Sequence, residues 1–196
     1  MSVALREPMT LAEFLDWEEQ QELRYEFDGF QPVAMTGGTL RHEAICYTLR
    51  TLLYERLRGR RCRPYGPTTK VEVQGRIRYP DASVSCTRGN PGATIVPEPV
   101  VVFEVLSPST SRIDRIEKLR EYQATATIQR YVIFEQDAVA ATVYTRRDAE
   151  WTVHVLTGEE ELDMPEIDIR FGLAEVYADV EFDGETERSE PPGSRT

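Results

Sequence analysis

A short apolar segment with one carboxylate near its end places the strongest constraint on how this chain folds. The segment is Pro99-Val-Val-Val-Phe-Glu104-Val105. Apolar runs of this length are typical of strands that are buried on both faces of a sheet, where an unpaired charge is costly. Glu104 therefore needs either a buried Lys or Arg partner or a nearby metal ion, and both alternatives are open at this point.

Patterns on both sides of this segment predict an α/β or α+β domain with a central mixed sheet flanked by helices. Thr10 and Glu13 have the spacing of a capping box, which predicts the start of a short helix. The dipeptide Asp28-Gly29 predicts a tight hairpin turn. Apolar residues recur at helical spacing over residues 40–57 and predict a longer helix that ends before Gly59.

Later segments continue the alternation of strands and helices. Period-two patterns predict extended structure, apolar residues three and four apart predict helices, and a stretch rich in Gly and Pro predicts a surface loop. We predict strands at residues 69–75, 77–84 and 130–134, a loop at 87–99, helices at 111–122 and 171–177, and a hairpin around Arg147-Asp148.

Length and charge limit the domain organisation and the class of partner. A chain of 196 residues is long enough for one well-packed domain, which we predict for residues 1–180, with residues 181–196 as an acidic, disordered tail. The formal net charge of −11 argues against a broad basic surface for duplex DNA. One dense cluster of arginines lies at residues 56–63, and we favour a solvated helix end over a phosphate-binding site for it.

The cysteines and the apolar segments bear on the cellular compartment. Cys46, Cys62 and Cys86 are scattered without a Cys-x-x-Cys pair, so we predict neither a zinc site nor a disulfide framework. This pattern fits a reducing cytoplasm. No signal segment and no apolar run long enough to cross a bilayer is visible in the sequence.

Three polar residues on consecutive predicted elements can converge on one site. Asp81 follows Pro80 in one strand, Glu104 lies in the next, and Lys118 lies on the helix after it. Two carboxylates close together repel unless a proton or a cation offsets their charge, and an oxygen-rich pair suits Mg²⁺ or Mn²⁺. Alternatively, Asp81 caps a turn and Glu104 forms a buried ion pair with Lys118 or an arginine, and no chemistry follows.

These residues also carry a resemblance to a known family. The sequence resembles the Uma-type family of candidate restriction endonucleases, which is assigned to the PD-(D/E)xK phosphodiesterase fold. The matching strings are Tyr25-Glu26-x-x-Gly29, His42 at a helix start, Tyr79-Pro80-Asp81, Glu104-Val-Leu-Ser107-Pro108-Ser109-Thr110, Asp114, and Lys118-x-x-x-Tyr122.

The resemblance implies roles for individual residues. Asp81 and Glu104 become metal ligands for Mg²⁺ or Mn²⁺, and the catalytic set becomes Asp81, Glu104, Lys118 and Glu26. Leu106 stands where the lysine of the motif is expected, so Lys118 on the next helix would have to replace it. Glu26 can reach the surroundings of the metal or serve structure alone.

Two further residues are assigned with less direct support from the resemblance. We favour His42 as a helix-start or core residue over a ligand, because Mg²⁺ needs no nitrogen partner. Tyr122 fits the core as well as it fits the site.

Two functional hypotheses follow from this pattern. In the first, the protein is a Mg²⁺-dependent endonuclease that hydrolyses DNA phosphodiester bonds, and a homodimer cleaves both strands. In the second, it is a catalytically silent protein that keeps the nuclease fold as an interaction or assembly module. Intact Asp81, Glu104 and Lys118 favour the first hypothesis.

Overall fold

The structure is a computed structural model, and it describes residues 8–106 and 112–182. The predictions for residues 107–110, for the start of the predicted helix at residue 111, for the side chain of Asp114 and for the tail from residue 183 lie outside what the structure describes. The division into one domain of residues 1–180 and a tail stays a prediction.

Short strands and four α-helices alternate along the described chain. The helices are α1 (Leu11–Glu18), α2 (Leu40–Leu57), α3 (Arg112–Ala124) and α4 (Leu173–Val176), with a 3₁₀ turn at Pro165–Ile167. The strands are β1 (Tyr25–Phe27), β2 (Pro32–Ala34), β3 (Arg63–Tyr65), β4 (Val71–Val73), β5 (Arg76–Arg78), β6 (Ala82–Ser85), β7 (Pro99–Val105), β8 (Arg130–Phe134), β9 (Ala140–Arg147), β10 (Glu150–Thr157), β11 (Glu161–Met164) and β12 (Ile169–Gly172).

The larger sheet confirms the predicted mixed α+β architecture. Its strand order is β10-β9-β8-β7-β6-β3, and β7 and β8 run parallel while the other neighbours run antiparallel. Strands β2, β1, β5 and β4 form a second, four-stranded sheet, and β11 pairs with β12. The parallel pair β7 and β8 is joined through α3, as parallel neighbours require a crossover connection.

Both faces of β7 are covered, which explains its nearly continuous apolar sequence. Val101 and Phe103 pack in the same cluster as Leu49 of α2. Val102 points to the opposite face, where it packs in the same cluster as Tyr122 of α3. The predicted burial of this strand on both faces is therefore confirmed.

The predicted start of α1 and the two predicted hairpins agree with the structure, whereas the last helix begins at Leu173 rather than at residue 171, because residues 171 and 172 belong to β12. Thr10 caps α1, and its side chain and that of Glu13 form the reciprocal hydrogen bonds of a capping box. Strands β1 and β2 flank Asp28-Gly29, with Gly29 at a φ of 89°. Strands β9 and β10 form the later hairpin around Asp148, whose φ is 55°.

The segment 77–84 does not form the single extended strand that its sequence predicts. It is divided between β5, in the four-stranded sheet, and β6, in the six-stranded sheet. The chain crosses between the sheets at Tyr79-Pro80-Asp81, where proline cannot donate a ladder hydrogen bond. Strands β3, β11 and β12 have only three or four residues, and their patterns were too short to predict.

The prediction that the cysteines form no disulfide is wrong. Cys62 and Cys86 are bonded to each other, and Cys46 is free and buried. The bond follows from the antiparallel pairing of β3 with β6, in which Arg63 faces Ser85 and the next residues on each strand are the two cysteines. The cysteine pattern therefore no longer supports a reducing compartment, and the cytoplasmic location stays a prediction.

The helices over residues 8–106 and 112–182 include none that is long and apolar enough to span a membrane.

A buried ion pair attaches α1 to the four-stranded sheet. Lys70 Nζ lies 2.6 Å from Glu18 Oε2, and both side chains are only 6% exposed. The Tyr79 hydroxyl donates to Glu18 Oε1 at 2.5 Å. A charge so thoroughly removed from water depends on its partners.

Lys70→Met should therefore destabilise the fold strongly, because it leaves Glu18 as a buried, uncompensated charge. We expect the free energy of unfolding to fall by about 3–5 kcal/mol. Arg50→Met is the matched control: it breaks a 2.8 Å pair with Glu43, which is 65% exposed, and should cost about 1 kcal/mol or less. Urea unfolding of both variants measures the difference, and equal losses would contradict the assignment.

Candidate active site

Glu104 lies near the end of β7, where its carboxylate faces the side chains of α3. Its Oε1 is 3.3 Å from Lys118 Nζ and accepts a hydrogen bond from the Tyr122 hydroxyl at 3.0 Å. Lys118 and Tyr122 are one helical turn apart on α3, so both reach the same carboxylate. The structure thus brings Lys118 to Glu104, and Tyr122 serves both the core, through its ring, and the site, through its hydroxyl.

Asp81 lies at the crossing between the two sheets, one residue before β6. Ala82 pairs with Phe103 in the β6–β7 ladder, and the next residues on the two strands are Asp81 and Glu104. The main-chain N–H of Val105 donates to Asp81 Oδ2 at 2.7 Å, which fixes the carboxylate at the end of β7. Asp81 and Glu104 therefore lie on neighbouring segments of the chain, as their spacing predicts.

Glu26 of β1 joins the four-stranded sheet to this cluster. Its Oε1 lies 3.2 Å from Lys118 Nζ and accepts a 3.2 Å hydrogen bond from the main-chain N–H of Tyr79. Its Oε2 accepts a 3.0 Å hydrogen bond from Arg78 Nη1. Glu26 thus contacts Lys118 directly and holds the backbone two residues before Asp81.

Arg78 and Glu121 belong to the same buried network, although their sequence context did not indicate it. Arg78 Nε and Nη2 donate to the two carboxylate oxygens of Glu121, each at 2.7 Å, while Nη1 reaches Glu26. Within β5, Arg78 follows the apolar Ile77 and looks like a solvent-facing residue. Only the packing of α3 over this strand buries it, so no local signal identifies the pair.

Burial dominates the electrostatics of Glu104. It raises the pKa of this carboxyl to about 7, against the ordinary value of 4.5. The ammonium of Lys118 and the Tyr122 hydrogen bond oppose this rise, whereas the negative charges of Asp81 and Glu26 add to it. A carboxylate in this position retains a strong attraction for further positive charge.

His42 lies in the first turn of α2, close to the helix start as predicted, and its ring also faces Asp81. Its main-chain N–H donates to the side chain of Thr39, the N-cap of α2, at 3.1 Å. Its Nε2 is 3.5 Å from Asp81 Oδ1, and the hydrogen bond to Asp81 raises the pKa of the imidazole. Cys46, one turn further along α2, has its Sγ 3.5 Å from His42 Nδ1.

The arginine cluster at residues 56–63 lies at the other end of α2. At 1.5 Å per residue, Arg58 is about 24 Å along the helix from His42. Two members of the cluster pair with acidic residues: Arg56 with Glu175 at 2.9 Å and Arg60 with Asp168 at 2.8 Å. These contacts between largely exposed side chains fit the predicted solvated helix end.

The architecture and the buried acid–lysine cluster define a nuclease-like α+β protein. The structure superimposes on a crystal structure from Anabaena variabilis, described as "a putative nuclease belonging to DUF820", with a TM-score of 0.72. The match covers 87% of this chain and 98% of that one, at 18% sequence identity, and it shows that the fold is shared.

The chain belongs to the Uma2 family, whose description is "Putative restriction endonuclease". The family model matches residues 11–175, which include Glu26, Asp81, Glu104 and Lys118. Two proteins of Synechocystis sp. are similar, both described as uncharacterized: slr1290, 30% identical over 87% of this chain and 92% of its own length, and sll1609, 25% identical over 81% and 93%. The resemblance drawn from the motifs is therefore confirmed.

The raised pKa of Glu104 gives a testable dependence of stability on pH in protein freed of divalent ions with EDTA. Its pKa is higher in the folded than in the unfolded chain, so the folded chain binds more protons between pH 4.5 and pH 7. Stability is then lost as the pH rises through this window. Between pH 5 and pH 8, we expect the free energy of unfolding of the parent to fall by roughly 3 kcal/mol relative to that of Glu104→Gln.

The variant serves as the control because its amide cannot titrate. Chemical unfolding of both proteins at several pH values measures the difference, which cancels the contributions of the other titrating groups. Parallel stability curves for parent and variant would contradict the raised pKa.

Proposed function

We propose that the protein is a Mg²⁺- or Mn²⁺-dependent endonuclease that hydrolyses phosphodiester bonds of DNA. The observation that carries the proposal is the largely buried Glu104 carboxylate, which contacts the Lys118 ammonium and lies across from Asp81, one step beyond the Ala82–Phe103 pair. Membership of a family described as restriction endonucleases supports DNA as the substrate.

The residues fit a hard divalent cation. Asp81 and Glu104 supply carboxylate oxygens, the ligands that Mg²⁺ and Mn²⁺ prefer. Among the described contacts, Lys118 and Tyr122 both donate hydrogen bonds to Oε1 of Glu104. We therefore assign the other oxygen, Oε2, as the ligand of the cation. The high pKa of Glu104 supports the fit, because a cation offsets the burial and repulsion that raise it.

Each side chain has a distinct task in the proposed reaction. When bound, a divalent cation supplies charge stabilisation at the phosphate and lowers the pKa of water. Lys118 orients the attacking water or offsets the charge that develops on the phosphate. Glu26 acts as a positioning residue, since it contacts Lys118 and the backbone of Tyr79. The Tyr122 hydroxyl holds the orientation of Glu104.

We place the DNA contact along the exposed side of α2, which begins beside the site. Tyr47 and Tyr54 are 66% and 58% exposed there, and Arg50, which also pairs with Glu43, lies between them. Aromatic rings and guanidinium groups in alternation suit the bases and phosphates of an unpaired strand. A homodimer would supply a second site for cleavage of both strands, and light scattering of the purified protein tests this part of the proposal.

The alternative of a catalytically silent module has one observation in its favour. Lys118 already compensates Glu104 at 3.3 Å, so the pair can persist as a buried ion pair without a cation. Measurements of metal binding and of a Lys118 variant distinguish the nuclease from the catalytically silent module.

Mg²⁺ or Mn²⁺ should raise the melting temperature, because a ligand that binds only the folded state stabilises it by mass action. Asp81→Ala should abolish this increment. Asp163→Ala, at an exposed carboxylate remote from the motif in sequence, is the control and should keep it. Differential scanning calorimetry with and without the ion measures both, and an equal increment in Asp81→Ala would place the ion elsewhere.

Lys118→Met should be less stable than the parent without metal, because its ammonium links Glu26 and Glu104. With Mg²⁺ or Mn²⁺ bound it should stay folded and keep the metal-induced increment, because both proposed ligands remain and Glu26 keeps its bond to Arg78. The cleavage rate should fall about 100-fold or more. Arg120→Met, an exposed cation on the same helix, is the control and should cleave at the parent's rate. Nicking of plasmid and single-stranded DNA with Mn²⁺ or EDTA measures the rates, and full activity in Lys118→Met would remove this lysine from the mechanism.

A further inference from the structure

A second group of potential metal ligands lies on the α2 side of Asp81. His42, Cys46 and Asp81 each direct one ligand atom into a common volume, and these atoms all lie within 4.8 Å of one another. His42 and Cys46 are four residues apart on α2, so they share one face of the helix. None of the roles proposed above uses either of them.

Two of the separations among these ligand atoms are close to the edges of a tetrahedral metal site. His42 Nε2 is 3.5 Å from Asp81 Oδ1 and 3.9 Å from Cys46 Sγ. Zinc bonds of about 2.0–2.1 Å to nitrogen or oxygen and about 2.3 Å to sulfur place tetrahedral ligands roughly 3.4–3.6 Å apart. The His42–Asp81 separation already lies in this range, whereas the imidazole must rotate for Nε2 and Cys46 Sγ to reach one cation, because Sγ lies nearer to Nδ1, at 3.5 Å.

The donor set selects a different kind of cation from the Asp81–Glu104 pair. Thiolate and imidazole ligands favour Zn²⁺ and similar borderline cations, whereas Mg²⁺ favours oxygen alone. Three protein ligands leave the fourth tetrahedral position open, as in sites that also bind water. Gly38 leaves room for the ring of His42. A side chain at this position would place its Cβ 2.8 Å from Nδ1, which is too close.

We propose that His42, Cys46 and Asp81 form a binding site for Zn²⁺ and chemically similar cations, and that its occupation withdraws Asp81 from the Mg²⁺ site. The second part rests on the proposed function. Asp81 Oδ2 is held by the Val105 N–H, and Oδ1 faces His42. A cation bound to Oδ1 takes this oxygen from any ion shared with Glu104, and two adjacent divalent ions also repel each other. Zn²⁺ is therefore an inhibitor of the Mg²⁺-dependent reaction.

The competing explanation is that the three side chains only contact one another. Cys46 Sγ lies within reach of the His42 ring, and His42 pairs with Asp81, which accounts for the cluster without a metal. Such a cluster has no affinity for Zn²⁺ that depends on the thiol.

Co²⁺ is a spectroscopic probe for the site, because thiolate ligation gives a charge-transfer band that oxygen and nitrogen ligands do not. The full chain is titrated with Co²⁺ without thiol reductants, so that Cys62 and Cys86 stay bonded to each other. The parent should develop the band, and Zn²⁺ should displace it. Cys46→Ala should lack the band and bind Zn²⁺ at least about tenfold more weakly in competition with a chelator dye. No band in the parent, or the same affinity in the variant, overturns the site.

A second variant guards against a loss of structure. Cys46 is buried in the core cluster with Leu49, so Cys46→Val keeps an apolar side chain there and removes the ligand. Melting curves establish which variant is folded, and either one must lose the band.

Competition for Asp81 is measured through bound Mn²⁺ by electron paramagnetic resonance, which needs no nuclease activity. Zn²⁺ should release Mn²⁺ from the parent. The same release from Cys46→Ala should need a Zn²⁺ concentration at least about tenfold higher. The Zn²⁺ concentration that halves cleavage should shift by the same factor. Equal sensitivity in both proteins, or activation by Zn²⁺, overturns the competition. Absent cleavage with a normal Co²⁺ spectrum would refute the nuclease and leave the zinc site standing.

Discussion

The structure depends on Lys118, whose ammonium lies between the carboxylates of Glu26 and Glu104. Glu26 belongs to the four-stranded sheet and Glu104 to the six-stranded one, so this single cation links the two sheets through α3. Arg78 extends the link by bonding Glu26 and Glu121. Buried charges of this kind are costly when a partner is missing, so the relative placement of the sheets and the compensation of charge depend on each other.

This arrangement also determines where Asp81 can lie. The chain leaves β5 beside the Glu26 carboxylate, which accepts the Tyr79 N–H, and enters β6 one residue after Asp81. Pro80 keeps the crossing out of either ladder. The Val105 N–H then holds the Asp81 carboxylate at the end of β7. Two carboxylates thus meet at the boundary of the sheets, where α2 and α3 contribute side chains from opposite faces.

The fold is shared with a solved protein described as a putative nuclease, but a fold supports many activities, and chemistry depends on the side chains. Leu106 stands where the resemblance places a lysine, and Lys118 of α3 reaches Glu104 because a long side chain from a helix can cover the end of a strand. Its position on α3 also allows Lys118 to contact Glu26. Asp81 has partners on both sides, since His42 of α2 faces one of its oxygens.

The sequence by itself determined the features that depend on neighbouring residues. The capping box of Thr10 and Glu13, the Asp28-Gly29 hairpin and the buried apolar strand around Glu104 all follow from local pattern, because each involves contacts within a few residues. The order of the predicted elements and the motif resemblance both indicated Asp81 and Lys118 as candidates, but neither decided whether Glu104 contacts a cation or a lysine.

Only the tertiary structure decided the contacts between distant segments. Nothing in the sequence around Arg78 indicates that it is buried, and the structure pairs it with Glu121 of α3. The Cys62–Cys86 bond likewise depends on the pairing of β3 with β6. His42 was predicted at a helix start, and it lies in the first turn of α2, yet its approach to Asp81 requires α2 to pack on one face of the six-stranded sheet. Burial and long-range pairing depend on how whole elements pack, and local sequence patterns carry little information about that packing.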